Sequence, residues 1–354
     1  MRPLITALVD TYNHERYIEQ ALASVLEQGL SPAELEIVVV DDGSTDGTAS
    51  IVEKFAPRVK HVRKKNGGQA SAFNAGFAES RGEIIAILDG DDWWAKGKLG
   101  AVAEALEKNP EVAAVGHGYY EFDEETKTTR ACVPAARQVI GLTSPEGTLA
   151  ARAAWHFLLM GALTVRRRLL ERIMPLDEEM VFMADSALQV AAMVMGALIL
   201  EEPLFYYRHH SDNLFATASK HKERTLRRWK MTELVYERVH RMVIKMGVPA
   251  ETASLLLEGG WLEAKRGRMH LAGGSRWEAF RTEMRSFELA SRNPGIAYRL
   301  FKYVIVGAAT LLLPARRFYE LRNWYAQKEL GRYRARLVGA DSSDVIVART
   351  PAEK

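Results

Sequence analysis

The chain has 354 residues, 47% of them hydrophobic, and a formal net charge of +3 at pH 7. That length holds two domains or one domain with an appendage, and so small a positive balance gives no electrostatic case for nucleic acid as a partner. One cysteine, Cys132, excludes an internal disulfide and a cysteine-based zinc site, and it suits a reducing, cytoplasmic compartment.

Leu4–Val9 reads as a buried strand, and Asp10-Thr11-Tyr12-Asn13 turns it into a helix on which Ile18, Leu22, Val25 and Leu26 recur at helical spacing. The first ten residues are too short an apolar run for a signal peptide. A second strand, Glu36–Val40, ends in Asp41-Asp42-Gly43-Ser44 before a helix with Ile51, Val52 and Phe55, and Val59–Val62 supplies a third. Asn66-Gly67-Gly68-Gln69 opens a helix with Phe73 and Phe77 on one face, and Ile84–Leu88 is a fourth strand, apolar throughout and therefore buried on both faces. Strands alternating with helices predict an α/β fold with a doubly wound, mostly parallel sheet, whose ligands sit at the carboxyl ends of the strands. Thr11, Asp42 and Asp89 all fall there.

The fourth strand ends in Asp89, Asp91 and Asp92, three carboxylates within four residues. Negative charge gathered at the mouth of a buried strand calls for a cation or for hydrogen-bond donors, and Mg²⁺ or Mn²⁺ takes such oxygens together with substrate phosphates. A plain strand-to-helix turn, with Gly and Asp chosen for backbone reasons, stands as the other reading. The dinucleotide fingerprint fails, because the first turn has no glycine. No Gly-Lys-Ser or Gly-Lys-Thr follows a strand, so a phosphate-binding P-loop fails too. What remains is a nucleotide held through a metal, for which sugar nucleotides are the natural candidates.

Thr11-Tyr12-Asn13, Ser24–Gln28, Val39–Thr48, Asn74-Ala75-Gly76 and Leu88–Asp92 together resemble the family 2 glycosyltransferases of GT-A fold, over about residues 1–215. The resemblance implies a metal-dependent enzyme, with Mn²⁺ or Mg²⁺, that moves a sugar with inversion from a nucleotide donor, usually UDP-linked, to an acceptor hydroxyl. It implies that residues 1–110 hold the nucleotide sugar and residues 111–215 the acceptor, a glycan or lipid-linked precursor. Position by position, Asp42 matches the carboxylate that accepts the uracil N3 hydrogen, while Thr11 and Tyr12 line the base pocket and Asn74 joins the donor-binding set. Asp89 and Asp91 resemble the family's Asp-x-Asp motif, which implies that Asp89 contacts the ribose or a metal-bound water and that Asp91 is the metal ligand. Asp42 as an Asx-turn or helix cap, and Asp92 as a helix cap, are the readings that need no ligand. Trp93 and Trp94 stack on a sugar or sit in the core.

Beyond Val112 the resemblance thins. Val112–Phe122 reads as strand, residues 126–140 as a loop or hairpin, and Gly161–Arg167 as a strand before a short helix. Asp185 matches the family's catalytic base, although Ala184 stands where the family commonly has Glu; a helix N-cap is the alternative, and Asp177, Glu178 and Glu179 are the next carboxylates to consider. His210 matches a histidine that completes the metal shell or faces the diphosphate, against an ordinary structural role. A nucleotidyltransferase is disfavoured for want of a Gly-rich basic loop, and a catalytically silent sugar-nucleotide or glycan-binding module stays open.

Residues 216–354 form a helical C-terminal region: 225–246, 250–271 and 276–292, with Gly259-Gly260 and Gly273-Gly274 as interruptions or boundaries. Residues 294–325 combine a short apolar run with flanking cations and aromatic residues, including Arg299, Lys302, Arg316, Arg317, Trp324 and Tyr325. No run reaches spanning length. The segment reads either as an interfacial helix, which would place the protein peripherally on the inner face of the cytoplasmic membrane, or as a core or dimer helix.

Overall fold

The computed structural model describes residues 4–142, 145–211, 213, 222–290 and 296–322. A ten-stranded sheet forms its centre. In chain order the strands are β1 (Ile5–Thr11), β2 (Leu35–Asp41), β3 (Lys60–Arg63), β4 (Ile84–Asp89), β5 (Trp93–Trp94), β6 (Ala114–Asp123), β7 (Thr129–Cys132), β8 (Gln138–Ile140), β9 (Thr164–Arg166) and β10 (Ala197–His209). They lie in the order β3-β2-β1-β4-β9-β6-β10-β5, with β7 on β6 and β8 on β10.

β1 pairs in parallel with β2 and β4, and β2 with β3, as alternating strand and helix require. The helices between them are α1 (Ile18–Leu26), α2 (Thr48–Glu53) and α3 (Gln69–Glu79). Ile85, Ala86, Ile87 and Leu88 of β4 are wholly buried, which explains the unbroken apolar run in that stretch. Two-sided burial leaves polar residues only at the strand ends. Register sets Asp10 beside Asp89, and all the carboxyl ends open on one edge.

β9 runs antiparallel between β4 and β6 and is hydrogen-bonded to both. Arg166 donates to the carbonyls of Val112 and Leu106, while Arg167 donates to those of Gly82 and Ser80. The expected loop or hairpin at 126–140 resolves into two strands with different partners. β7 closes a hairpin on β6, and β8 crosses to β10. α4 (Lys98–Lys108) follows β5; α5 (Pro145–Ala154) and a 3₁₀ turn, Trp155–Leu158, precede β9; α6 (Arg167–Ile173) and α7 (Asp185–Met195) follow it.

The remaining helices are α8 (Lys222–Lys245), α9 (Ala250–Ala272), α10 (Arg276–Ala290) and α11 (Ile296–Leu312), and residues 315–322 are helical as well. Two compact units result: Met1–Asn213 with Glu237–Leu256, and Leu214–Tyr236 with Leu257–Lys354. The end of α8 and the start of α9 group with the sheet. In the helical unit α9 runs unbroken through Gly259-Gly260, where an interruption was one of the expected outcomes. A Cβ at Gly260 would lie 2.3 Å from the Tyr236 ring, so glycine there serves close packing and not a break. Arg268 joins Glu233 and Glu278, and Arg266 makes paired bonds of 2.7 and 3.0 Å to Glu283. Residues 294, 295 and 323–325 of the expected interfacial segment lie outside the described residues. Among the described residues no helix is long and apolar enough to cross a membrane.

Candidate active site

The acidic turn is the centre of the site. One carboxylate oxygen from each of Asp89, Asp91 and Asp92 lies within 4.8 Å of the others, the reach of a single cation. Gly90 makes the turn possible: a Cβ there would sit 2.6 Å from Thr11 Oγ1 and 2.9 Å from His14 Nδ1, so only glycine lets the turn close against β1. Its amide donates to the Asp10 carbonyl at 2.9 Å.

The three aspartates have different surroundings. Burial works against the charge of Asp91, but His14 and His210 outweigh it and hold this carboxyl below its ordinary value. His210 Nε2 lies 3.0 Å from Asp91 Oδ2 and His14 Nε2 3.9 Å from it; the His210 ring packs on Tyr17 at 4.6 Å. Asp89 goes the other way: burial, and then Asp10 and Asp91, push it well up. Asp92 is also raised, by burial and by Asp91, with Arg208 in opposition. Of the three, Asp91 is the one whose surroundings favour the charged form.

Asp92 is no helix cap, because α4 starts at Lys98 behind Gly97. Its Oδ1 instead accepts the Arg208 amide at 2.8 Å. Arg208 is the main tie between the turn and β10. Its guanidinium reaches the Asp91 carbonyl at 2.8 Å, Glu124 at 2.6 Å and Gln20 at 2.6 Å, and it lies 4.4 Å from the Trp93 ring centroid. Trp93 stacks on Tyr206 at 4.6 Å, and Trp94 is buried in the core.

Asp10 is a fourth carboxylate that the strand pattern alone did not single out. Burial pushes it up to about 7, and one oxygen, Oδ1, is buried without a hydrogen-bond partner. The available signal was its position, since Asp10 ends a buried strand as Asp89 does.

The donor-side residues divide. Thr11 is buried with its hydroxyl 3.3 Å from His14 Nδ1, whereas Tyr12 is 44% exposed. Asp42 accepts Lys64 Nζ at 2.7 Å and the amides of Gly67 and Gly68 at 3.0 and 2.7 Å, fastening the loop before α3. Asn74 lies away from the cluster: its amide is bonded at both ends to the backbone of Leu176 and also reaches Glu178.

α3 begins against the chain just before α7. Gly68 has φ +84°, and a Cβ there would lie 2.5 Å from Val181 backbone atoms; Gln69 then donates to the Val181 carbonyl and accepts from the Ala184 amide. Met183 takes a left-handed φ of 61° and turns the chain into α7. Asp185 is the first residue of that helix and not its N-cap, a place taken by Ala184. Burial raises the Asp185 carboxyl to about 6. Gln189, one turn on, donates to it at 3.3 Å and itself accepts from the Trp155 indole at 2.6 Å. Gln189 and Trp155 had no signal in the sequence, because their pairing depends on where the 3₁₀ turn lands.

A family model described as "Glycosyl transferase family 2" matches residues 6–173. An uncharacterized glycosyltransferase of a Nostoc species is 32% identical over 255 residues, which cover 70% of this chain and 77% of the relative. The chain belongs to glycosyltransferase family 2. Another relative of this family 2 glycosyltransferase, the uncharacterized glycosyltransferase EpsJ of Bacillus subtilis, is 32% identical over 229 residues, 60% of this chain and 63% of EpsJ. Among solved structures, S. aureus TarS 1–349 in complex with UDP superposes with a TM-score of 0.58 at 16% identity, covering 87% of this chain and 90% of that one. The fold is therefore GT-A, a large mixed sheet followed by helices.

Arg208→Met tests the tie. It leaves Glu124 and Asp92 without their cation, and since Glu124 is partly hydrated the loss should fall at the low end for a broken buried pair, about 3 kcal/mol. Urea denaturation should show that loss, with a much smaller one for Glu124→Gln.

Proposed function

We propose that this glycosyltransferase takes a sugar from a nucleotide donor, UDP-linked, and passes it with inversion to the hydroxyl of a glycan or lipid-linked acceptor. The observation that carries the reading is the acidic turn itself, with Asp91 flanked by His210 at 3.0 Å and His14 at 3.9 Å, together with a separate raised carboxyl, Asp185, at the start of α7. One group suits a diphosphate and its cation, the other a proton. TarS, of the same fold, has been solved with UDP and with UDP-GlcNAc, which supports a uridine donor.

Asp91 would hold Mg²⁺ or Mn²⁺, with Asp89 and His210 beside it; the clustered oxygens fit such an ion, and the ion when bound supplies positive charge against the departing diphosphate. Thr11 and Tyr12 flank the base, and Asp42 offers it an acceptor from an oxygen that already braces Gly67 and Gly68. Asp185 takes the proton from the acceptor hydroxyl as its oxygen bonds to the anomeric carbon and the carbon–phosphate oxygen bond breaks. A single displacement of this kind inverts the centre and needs one base.

The neighbouring carboxylates are otherwise engaged, which supports Asp185 for that role. Asp177 and Glu179 are ion-paired with Arg238, and Glu178 accepts from Asn74.

Asp91→Ala should remove the cation dependence of UDP binding in calorimetry with and without Mn²⁺. Unchanged affinity and unchanged metal response in that variant would mean the cation is held elsewhere.

Asp185→Asn keeps the shape but not the basicity, so donor binding should persist while transfer falls by about 10² to 10⁴. Binding with no turnover in the unaltered protein, across a panel of UDP-sugars and acceptors, would return the silent-module reading.

A base must be deprotonated, so transfer should rise with pH through about 6, where Asp185 titrates. Gln189 donates to the charged form of that carboxyl, and Gln189→Met should therefore shift this acid limb to higher pH. A limb that stays in place in the variant would separate Gln189 from the base.

A further inference from the structure

The helical unit carries a surface that the transferase reading does not use. On α11 and residues 315–322, Thr310, Ala315, Phe318 and Tyr319 turn inward, the last three forming a small core with Met269 and Ala279. The other side is open. Val304 is 67% exposed, Ile305 50%, Leu312 74% and Leu321 55%. Val304, the exposed Ala308 and Leu312 recur every fourth residue and so form one stripe along the helix. Arg276 Nη1 donates to the Leu311 carbonyl at 3.4 Å, which brings the start of α10 to the end of α11, and there Trp277 is 62% exposed. A surface of this kind on a small helical unit calls for a cover.

Charge distinguishes the covers. Residues 296–322 hold five Lys and Arg against one Glu, and of the five Arg322 is paired with Glu283. Arg316 and Arg317 are both more than half exposed and share Glu320 alone. A second copy packed through the same face would oppose one positive surface to another, since a two-fold interface sets like against like. An anionic bilayer accepts both parts at once: the apolar stripe enters the acyl boundary, and the guanidinium groups stay with the headgroups. At 17 residues α11 is about 26 Å long, short of the roughly 30 Å hydrocarbon core, so lying in the plane suits it better than crossing.

We propose that the face made by Val304, Ile305, Leu312 and Leu321, with Arg316 and Arg317, seats on an anionic lipid surface with α11 in the membrane plane. This goes beyond the proposed reaction and does not depend on it, because binding is read with neither donor nor acceptor present.

Flotation of the full chain with phosphatidylcholine vesicles, with and without phosphatidylglycerol, tests it. The protein should rise with the anionic vesicles at low salt, stay down with the neutral ones, and come off as salt screens the cations. Val304→Asp and Leu312→Asp lie at exposed positions, so the circular dichroism spectrum and Tm should hold while vesicle affinity falls about tenfold for each. Exchanging both Arg316 and Arg317 for Gln should weaken binding by a further factor of about five per charge. A full chain that stays free of phosphatidylglycerol vesicles at low salt overturns the proposal. So does unchanged affinity in Leu312→Asp, which would reduce the attraction to charge alone. A dimer in light scattering that Leu312→Asp disperses, without vesicle binding, would assign the face to a second copy.

Discussion

Mutual repulsion among buried carboxylates is the constraint on which this site depends. Asp10, Asp89, Asp91 and Asp92 meet at the ends of two adjacent strands, where burial makes every added negative charge more costly. The protein spreads the difficulty unevenly: Asp91 is held charged by two imidazoles, Asp92 is engaged by Arg208, and Asp10 and Asp89 lean toward their neutral forms. Such a set is poised for a cation, because one divalent ion would relieve several repulsions together. A metal site that ordinary hydrogen bonds fully satisfied would gain less from its metal.

The second carboxyl centre is built by different means. Asp185 owes its raised value to burial alone, and it is placed by contacts at both ends of a short loop: Gly68 and Gln69 against Val181 and Ala184 on one side, Gln189 and Trp155 on the other. The loop that Asp42 fastens is the one that leads into Gly68. The loop that Asp42 fastens and the start of α7 are thereby joined through backbone and amide contacts, without a direct bond between Asp42 and Asp185.

Much of this was legible in the chain. Strands β1, β2 and β4 showed themselves because two-sided burial writes a continuous apolar run, and the turn after β4 stood out because three carboxylates follow such a run within four residues. Residues whose meaning depends on topology stayed hidden. Arg208 reaches Gln20 and Asp91, 188 and 117 positions earlier, and no local pattern marks such a partner. His14 and Gln189 are silent for the same reason. Asn74 shows the converse: a motif residue recognised by its neighbours in sequence has its amide bonded to residues 102 positions later. The glycines at 259 and 260 read as a break because sequence shows the missing side chain and not the tyrosine that takes its space.

The antiparallel β9 has a mechanical consequence. Strands β4 and β6 are both hydrogen-bonded to this one short strand, and the two arginines at its end grip backbone on either side. A cleft built on two separate sheets could open like a book, but here the covers share a spine that cannot crease without breaking backbone hydrogen bonds. Any opening of the site falls to the loops along the rim, and the shared sheet beneath holds the acidic turn after β4 at a fixed distance from β6.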